Sequence, residues 1–321
     1  MKPTITLVRN RVRMGNAVSL VRAQSSGKEM GSSISEALDL IDFELNTTVD
    51  SVAIKPNLCY YWDAYTGYTT DPRIVAGIID YIRESYGADV DIKVVEADAT
   101  AMRTRYAFKM LGYEKLAKEK RVELFNLSRD KVEERKVNVN GCEIKLKVPC
   151  LLMESDLFIN VPKLKVMRET LITCAMKNLF GCIASPRKVV YHPFLNEAIV
   201  GINKILRPDL TVVDGLVALG RFPVKLDLVV ASIDPFSVDW IVSQIVGCDP
   251  SKIKFLKIAM KEKLGNPDGI VTCGEKVAVF NEIFPKDNSI FARWSWNTQL
   301  RLLKLYHKIV GDVVPPSLEG I

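Results

Sequence analysis

Short apolar runs rich in β-branched residues recur along this chain with longer helical patterns between them, and that alternation restricts the fold more than any other feature. Residues 5–8, 52–54, 92–95, 122–125, 157–161, 210–213 and 226–231 read as strands. Between them, residues 34–45 have helical spacing, and a helix over 72–86 opens with Thr70-Asp71-Pro72, an N-cap signal followed by proline in the first turn. Asp234-Pro235 repeats that device before a helix over 236–246, and Asp249-Pro250-Ser251 starts another. Such alternation predicts an α/β fold, a mostly parallel doubly wound sheet covered by helices on both faces. One stretch departs from it. Residues 133–149 alternate about Asn140-Gly141, the strongest local hairpin signal, so an antiparallel hairpin is inserted at about 132–149.

A chain of 321 residues suits one large α/β domain over 1–288 with a C-terminal helical extension over 289–321. That extension carries Trp294, Trp296, Leu300, Leu303, Tyr306 and Ile309 at amphipathic spacing, with Arg293, Arg301, Lys304 and Lys308 interleaved. Three uses are open to it: covering the domain core, joining copies of the chain into a homo-oligomer, or shallow attachment to a membrane or RNA. A net charge of +6, spread along the sequence, does not by itself imply nucleic acid. No apolar run approaches the roughly 20 residues of a membrane span and the N-terminus lacks a signal-peptide core, so the expected location is the cytoplasm. The seven cysteines form no C-x-x-C pair and there are two histidines, a pattern of reduced thiols that predicts no intrinsic iron–sulfur cluster and no metal site.

In a parallel sheet, polar residues that follow successive strands converge on one edge, where open α/β folds bind ligands. Here Lys55-Pro56-Asn57 follows one strand, Glu96 and Asp98 another, Asn160-Val161-Pro162-Lys163-Leu164-Lys165 a third, and Asp214 a fourth. Asp71, Asp234 and Asp249 are explained as helix caps, since each precedes or adjoins proline at a capping position. Capping explains little about Lys55, Asn57, Asn160, Lys163 and Lys165. Lysine is no N-cap, and proline is expected to end the 157–161 strand, so these residues are read as facing an anion in a wet crevice. A helix over about 167–179 would bring its N-terminus to the same place, and it ends in Lys177-Asn178-Leu179-Phe180-Gly181, with Gly181 suited to a C-cap.

On this reading Lys55, Lys163 and Lys165 neutralise the anion, Asn57, Asn160 and Asn178 orient it, and Lys177 or His192 moves a proton. Glu96, Asp98 and Asp214 line the site, for a hydroxyl-rich ligand or a divalent cation. Cys174 is read as helix–sheet packing in preference to a thiol nucleophile. There is no phosphate loop, no G-x-G-x-x-G after a strand and no G-x-S-x-G elbow, which disfavours the common nucleotide, nicotinamide and serine-hydrolase classes. No particular cofactor is indicated.

The segments Val52-Ala53-Ile54-Lys55-Pro56-Asn57-Leu58, Asn160 to Lys165 and Lys177 to Gly181 resemble the domain-of-unknown-function family 362, as do Val213-Asp214-Gly215 and Ala231-Ser232-Ile233-Asp234-Pro235 with Asp239. The resemblance spans about residues 50–265 and marks the motif residues as site residues without supplying a reaction. It also implies a link to iron–sulfur chemistry, since many members carry a cysteine-rich cluster domain; this chain has no such cysteine group, which implies a separate electron-transfer partner or a branch without a redox role. Two functions follow as expectations. One is an enzyme or ligand-binding protein recognising a small carboxylate- or phosphate-bearing molecule at the strand C-terminal edge. The other is a non-catalytic accessory protein that binds RNA, a ribosome or a redox complex through its basic surface and C-terminal helix.

Overall fold

The computed structural model describes residues 16–23, 27–44, 48–59, 61–100, 102–167 and 169–285. The strand expected at 5–8 and the C-terminal extension at 289–321 lie outside the described residues. Twelve strands are present among them: β1 Ala17–Arg22, β2 Ser51–Pro56, β3 Asp91–Glu96, β4 Glu123–Asn126, β5 Val132–Val139, β6 Cys142–Pro149, β7 Leu157–Val161, β8 Lys163–Met167, β9 Leu171–Thr173, β10 Leu210–Leu219, β11 Pro223–Ser232 and β12 Val271–Gly274. The helices are α1 Gly27–Asp39, α2 Pro72–Tyr86, α3 Thr104–Met110, α4 Tyr113–Lys120, α5 Cys150–Glu154, α6 Ala175–Phe180, α7 Leu195–Ile205, α8 Pro235–Ile245, α9 Lys254–Lys261 and α10 Val277–Ile283.

The main sheet runs in the order β12-β1-β11-β10-β7-β2-β3-β4, with β8 on β10 and β9 on β8. From β10 through β7, β2, β3 and β4 every pair is parallel, whereas β11 is antiparallel to both β10 and β1. Alternation along the central strands explains the double cover. In β7, Phe158 points into one apolar cluster with α7, α8 and α9, while Leu157, Ile159 and Val161 point into the other with α1 and α2. Both clusters are built of buried apolar side chains, so the central strands are largely apolar until they reach their C-terminal edge.

Local signals place several elements where expected. Asp71 accepts a hydrogen bond from the Arg73 N–H at the start of α2, and Asp234 accepts from the Phe236 and Ser237 N–H groups at the start of α8. Asn140 (φ 50°) and Gly141 (φ 81°) close the β5–β6 hairpin in the left-handed conformations of a two-residue turn. The hairpin forms a sheet of its own, with Val139, Ile144, Leu146 and Val148 buried against the domain.

Strand β7 ends at Val161, just before Pro162, as expected; the chain then resumes as β8 one residue later, and β10 pairs first with one and then with the other. The Pro162 carbonyl accepts from the Asp214 N–H at 2.9 Å, which keeps the two strands on the same neighbour. One expectation is corrected: there is no helix over 167–179. The chain turns back through Leu171 (φ 66°) into the short strand β9, and helix is confined to α6. Thr170, Ile172 and Thr173 are β-branched and favour the strand. No local side chain caps α6; Asp239 on α8 does so instead, accepting from the Ala175 N–H at 2.7 Å and the Met176 N–H at 2.9 Å.

Candidate functional site

The C-terminal ends of β2, β3, β7 and β10, together with β8, bring Lys55, Asn57, Glu96, Asn160, Lys163, Lys165 and Asp214 into one buried cluster, joined by Asn178 from α6. The three lysines are 0%, 1% and 2% exposed, which is extreme for a residue type that normally keeps its ammonium in water. Their partners differ, and the difference decides what each can do.

Lys55 and Lys163 are neutralised from within. The Lys55 ammonium sits 2.8 Å from Glu96 Oε1 and also donates to the Pro56 carbonyl at 2.8 Å. Glu96 accepts further from the Leu58 and Ala97 N–H groups. Lys163 Nζ is 2.8 Å from Asp214 Oδ2, and Asp214 also accepts from the backbone of Asp71 and Leu216. Each pair is desolvated, hydrogen-bonded and balanced, the condition under which buried charge is tolerated. Gly181 is required beside the first pair: a Cβ there would come within 3.1 Å of Lys55 Nζ and 3.0 Å of the Asn178 carbonyl. Its φ is −61°, so clearance, and not a left-handed cap, accounts for this glycine.

Lys165 has no carboxylate among its described partners. It donates to Asn57 Oδ1, to the Tyr68 carbonyl at 2.9 Å and to Cys59 Sγ at 3.0 Å. The asparagines expected to face a ligand are joined to one another: Asn57 Nδ2 donates to Asn178 Oδ1, and Asn178 Nδ2 donates to Asn160 Oδ1, both at 2.8 Å. Asn160 in turn donates to the Ala175 carbonyl. This amide chain ties β2, β7 and α6 together and holds Lys165 through Asn57. Beside it, Thr173 is the cross-strand partner of Lys165, and its buried hydroxyl has no hydrogen-bond partner among the described residues.

Lys177, partly buried on α6, has its pKa lowered by burial, with the Lys165 charge acting in the same direction. His192 and Pro193 are exposed on a 3₁₀ turn over Lys188–Phe194, whereas Tyr191 is buried and donates to the Lys145 carbonyl. Asp98 is set apart from the lysine pairs, accepting from the Thr104 N–H and from Asn126. Glu96, Asp98 and Asp214 therefore do not form a shared cation cage, because lysine ammoniums hold two of them. Among the described residues no three His, Cys, Asp or Glu side chains converge.

Lys188 enters the site without having been selected from the sequence, and Asp239, named there only as a motif residue, takes a definite place. Lys188 is 6% exposed, donates to the Asp98 carbonyl, and burial pushes its pKa down to about 8. The only hint was that it sits within Arg187-Lys188, which reads as surface charge. Asp239, fully buried under the α6 N-terminus, has its pKa pushed up to about 7 by burial against the pull of the two N–H groups it accepts from. Cys174 beside it is buried and pushed well above the usual thiol range, in keeping with packing in preference to nucleophilic chemistry.

Fold and cluster together define an α/β protein with a lysine- and asparagine-lined strand edge. The chain belongs to the family described as Domain of unknown function (DUF362), whose model matches residues 52–244 and so takes in every strand that carries the cluster. It is 27% identical over 274 residues to a "Thylakoid-associated protein" of Synechocystis, covering 79% of this chain and 81% of that one. Among solved structures it is similar to the lactate racemase apoprotein of Thermoanaerobacterium thermosaccharolyticum, with a TM-score of 0.48 and 12% identity over 73% of this chain. It spans 58% of that protein's length.

Proposed function

We propose that this protein binds a small carboxylate- or phosphate-bearing molecule at the C-terminal edge of its sheet, with Lys165 as the anchoring cation. The observation that carries this reading is the contrast among the three buried lysines. Lys55 and Lys163 each have a carboxylate, whereas Lys165 is as deeply buried with none among its described partners, and a buried ammonium of that kind is costly until an anion completes it. The Thr173 hydroxyl, opposite Lys165 and without a partner among the described residues, offers a donor to the same ligand. Lys177, whose lowered pKa enlarges its neutral fraction, is the group suited to move a proton; exposed His192 is less so.

Isothermal titration calorimetry with a panel of acetate, lactate, malonate and phosphate tests this reading. At least one anion should bind the wild type and lose tenfold or more in affinity with Lys165→Met. Equal affinity in the two proteins, or no binding by any member of the panel, would overturn it.

A further inference from the structure

A second cleft, with a volume of about 920 Å³, opens at the C-terminal ends of the outer strands β3 and β4, lined by Asp98, Arg103, Thr104, Arg105, Asn126 and Arg129. Its lining holds three arginines and a single carboxylate. Asp98 is already engaged: its Oδ1 accepts from the Thr104 N–H at 2.8 Å and from Asn126 Nδ2 at 3.2 Å, and Arg103 lies 3.8 Å from its Oδ2. Arg105 is held in place by the neighbouring Tyr106, donating to its hydroxyl at 2.7 Å with the guanidinium 4.5 Å from the ring centroid.

Thr104 supplies an independent observation. It is completely buried, it lines this cleft, and its hydroxyl has no hydrogen-bond partner among the described residues. An unsatisfied buried hydroxyl costs on the order of 1–3 kcal/mol, which a ligand oxygen accepting from it would offset. Phe108 and Leu124, which belong to the same apolar cluster, also line the cleft and give it an apolar part. Planar guanidinium donors suit the oxygens of a phosphate, and the apolar part suits an uncharged group attached to it.

We propose that this cleft binds a phosphate ester, with Arg103, Arg105 and Arg129 on the phosphate, Thr104 donating its hydroxyl, and the ester's apolar group against Phe108 and Leu124. The site is separate from the Lys165 cluster and does not depend on the function proposed for it. The cleft volume is within the range of small-molecule sites.

Phenyl phosphate is the probe, with inorganic phosphate as its comparator, both titrated into the full chain. Phenyl phosphate should bind more tightly than phosphate. The double variant Arg103→Gln/Arg129→Gln should weaken it by tenfold or more, and Thr104→Val by about fivefold without loss of thermal stability, since valine replaces an unpaired hydroxyl. Lys165→Met should leave phenyl phosphate affinity within twofold, so failure at one site is distinguishable from failure at the other. No binding of phenyl phosphate, undiminished binding by the arginine double variant or by Thr104→Val, or an equal loss with Lys165→Met would each overturn the assignment.

Discussion

Lys163 and Lys165 are two residues apart on one strand and almost equally buried, yet replacing each with methionine should have different consequences. Lys163 Nζ lies 2.8 Å from Asp214, and both side chains are at most 1% exposed. At an effective dielectric of about 20 that contact represents roughly 6 kcal/mol of gross attraction, most of it offset by desolvation while the pair is intact. Lys163→Met removes the attraction and leaves the Asp214 carboxylate buried with only the Asp71 and Leu216 N–H groups, so a loss of about 3–5 kcal/mol is expected. Lys165→Met also removes a buried cation, but that cation has no carboxylate to strand. Relief of its desolvation opposes the 1–3 kcal/mol or so lost by orphaning Asn57 Oδ1 and the Tyr68 carbonyl, and the net change should stay below about 2 kcal/mol. Urea denaturation with matched m-values reads the two numbers directly. Equal costs for the two variants, or a cost under about 1 kcal/mol for Lys163→Met, would refute the division into a structural and a ligand-facing lysine.

Three further predictions concern neighbouring groups. Asp239 has a folded pKa of about 7 against an unfolded value of 3.8, so its stabilising contribution is present below pH 4 and lost as pH rises to 7. Relative to Asp239→Asn, wild-type stability should fall by up to about 1.4 kcal/mol per pH unit in that window, and a flat difference between the two would show that Asp239 titrates normally. Lys188, with its pKa lowered to about 8, should contribute stability above pH 10.5 that is lost as pH falls to 8; NMR titration of its Nζ tests this, and a midpoint near 10.5 would count against the burial described. Gly181→Ala places a methyl group against Lys55 and the Asn178 carbonyl, and an expected loss of about 1–3 kcal/mol should be visible as a lowered thermal midpoint. A stabilised Gly181→Ala protein would mean that the Lys55–Glu96 pair has room to spare.

The strands of the parallel core were legible because each is a buried apolar run, and the helices α2 and α8 because Asp-Pro signals mark their starts locally. The hairpin was legible for the same reason, since Asn140-Gly141 encodes its turn without help from the rest of the chain. At α6, where the boundary depended on a distant residue, the reading failed. Asp239 caps that helix from 64 residues away.

At the site, the sequence indicated that lysine, asparagine and carboxylate groups following parallel strands come to one edge, which Lys55, Asn57, Glu96, Asn160, Lys163, Lys165 and Asp214 do and Asp98 does not. It could not determine which charges cancel. Lys55, Lys163 and Lys165 look equivalent as motif residues, and only the register of β3 and β10 beside them gives the first two carboxylates and leaves the third with an amide, a carbonyl and a thiol. Pairing energies act over a few ångströms between residues 41 and 51 positions apart, so the state of each lysine is a property of the packed sheet.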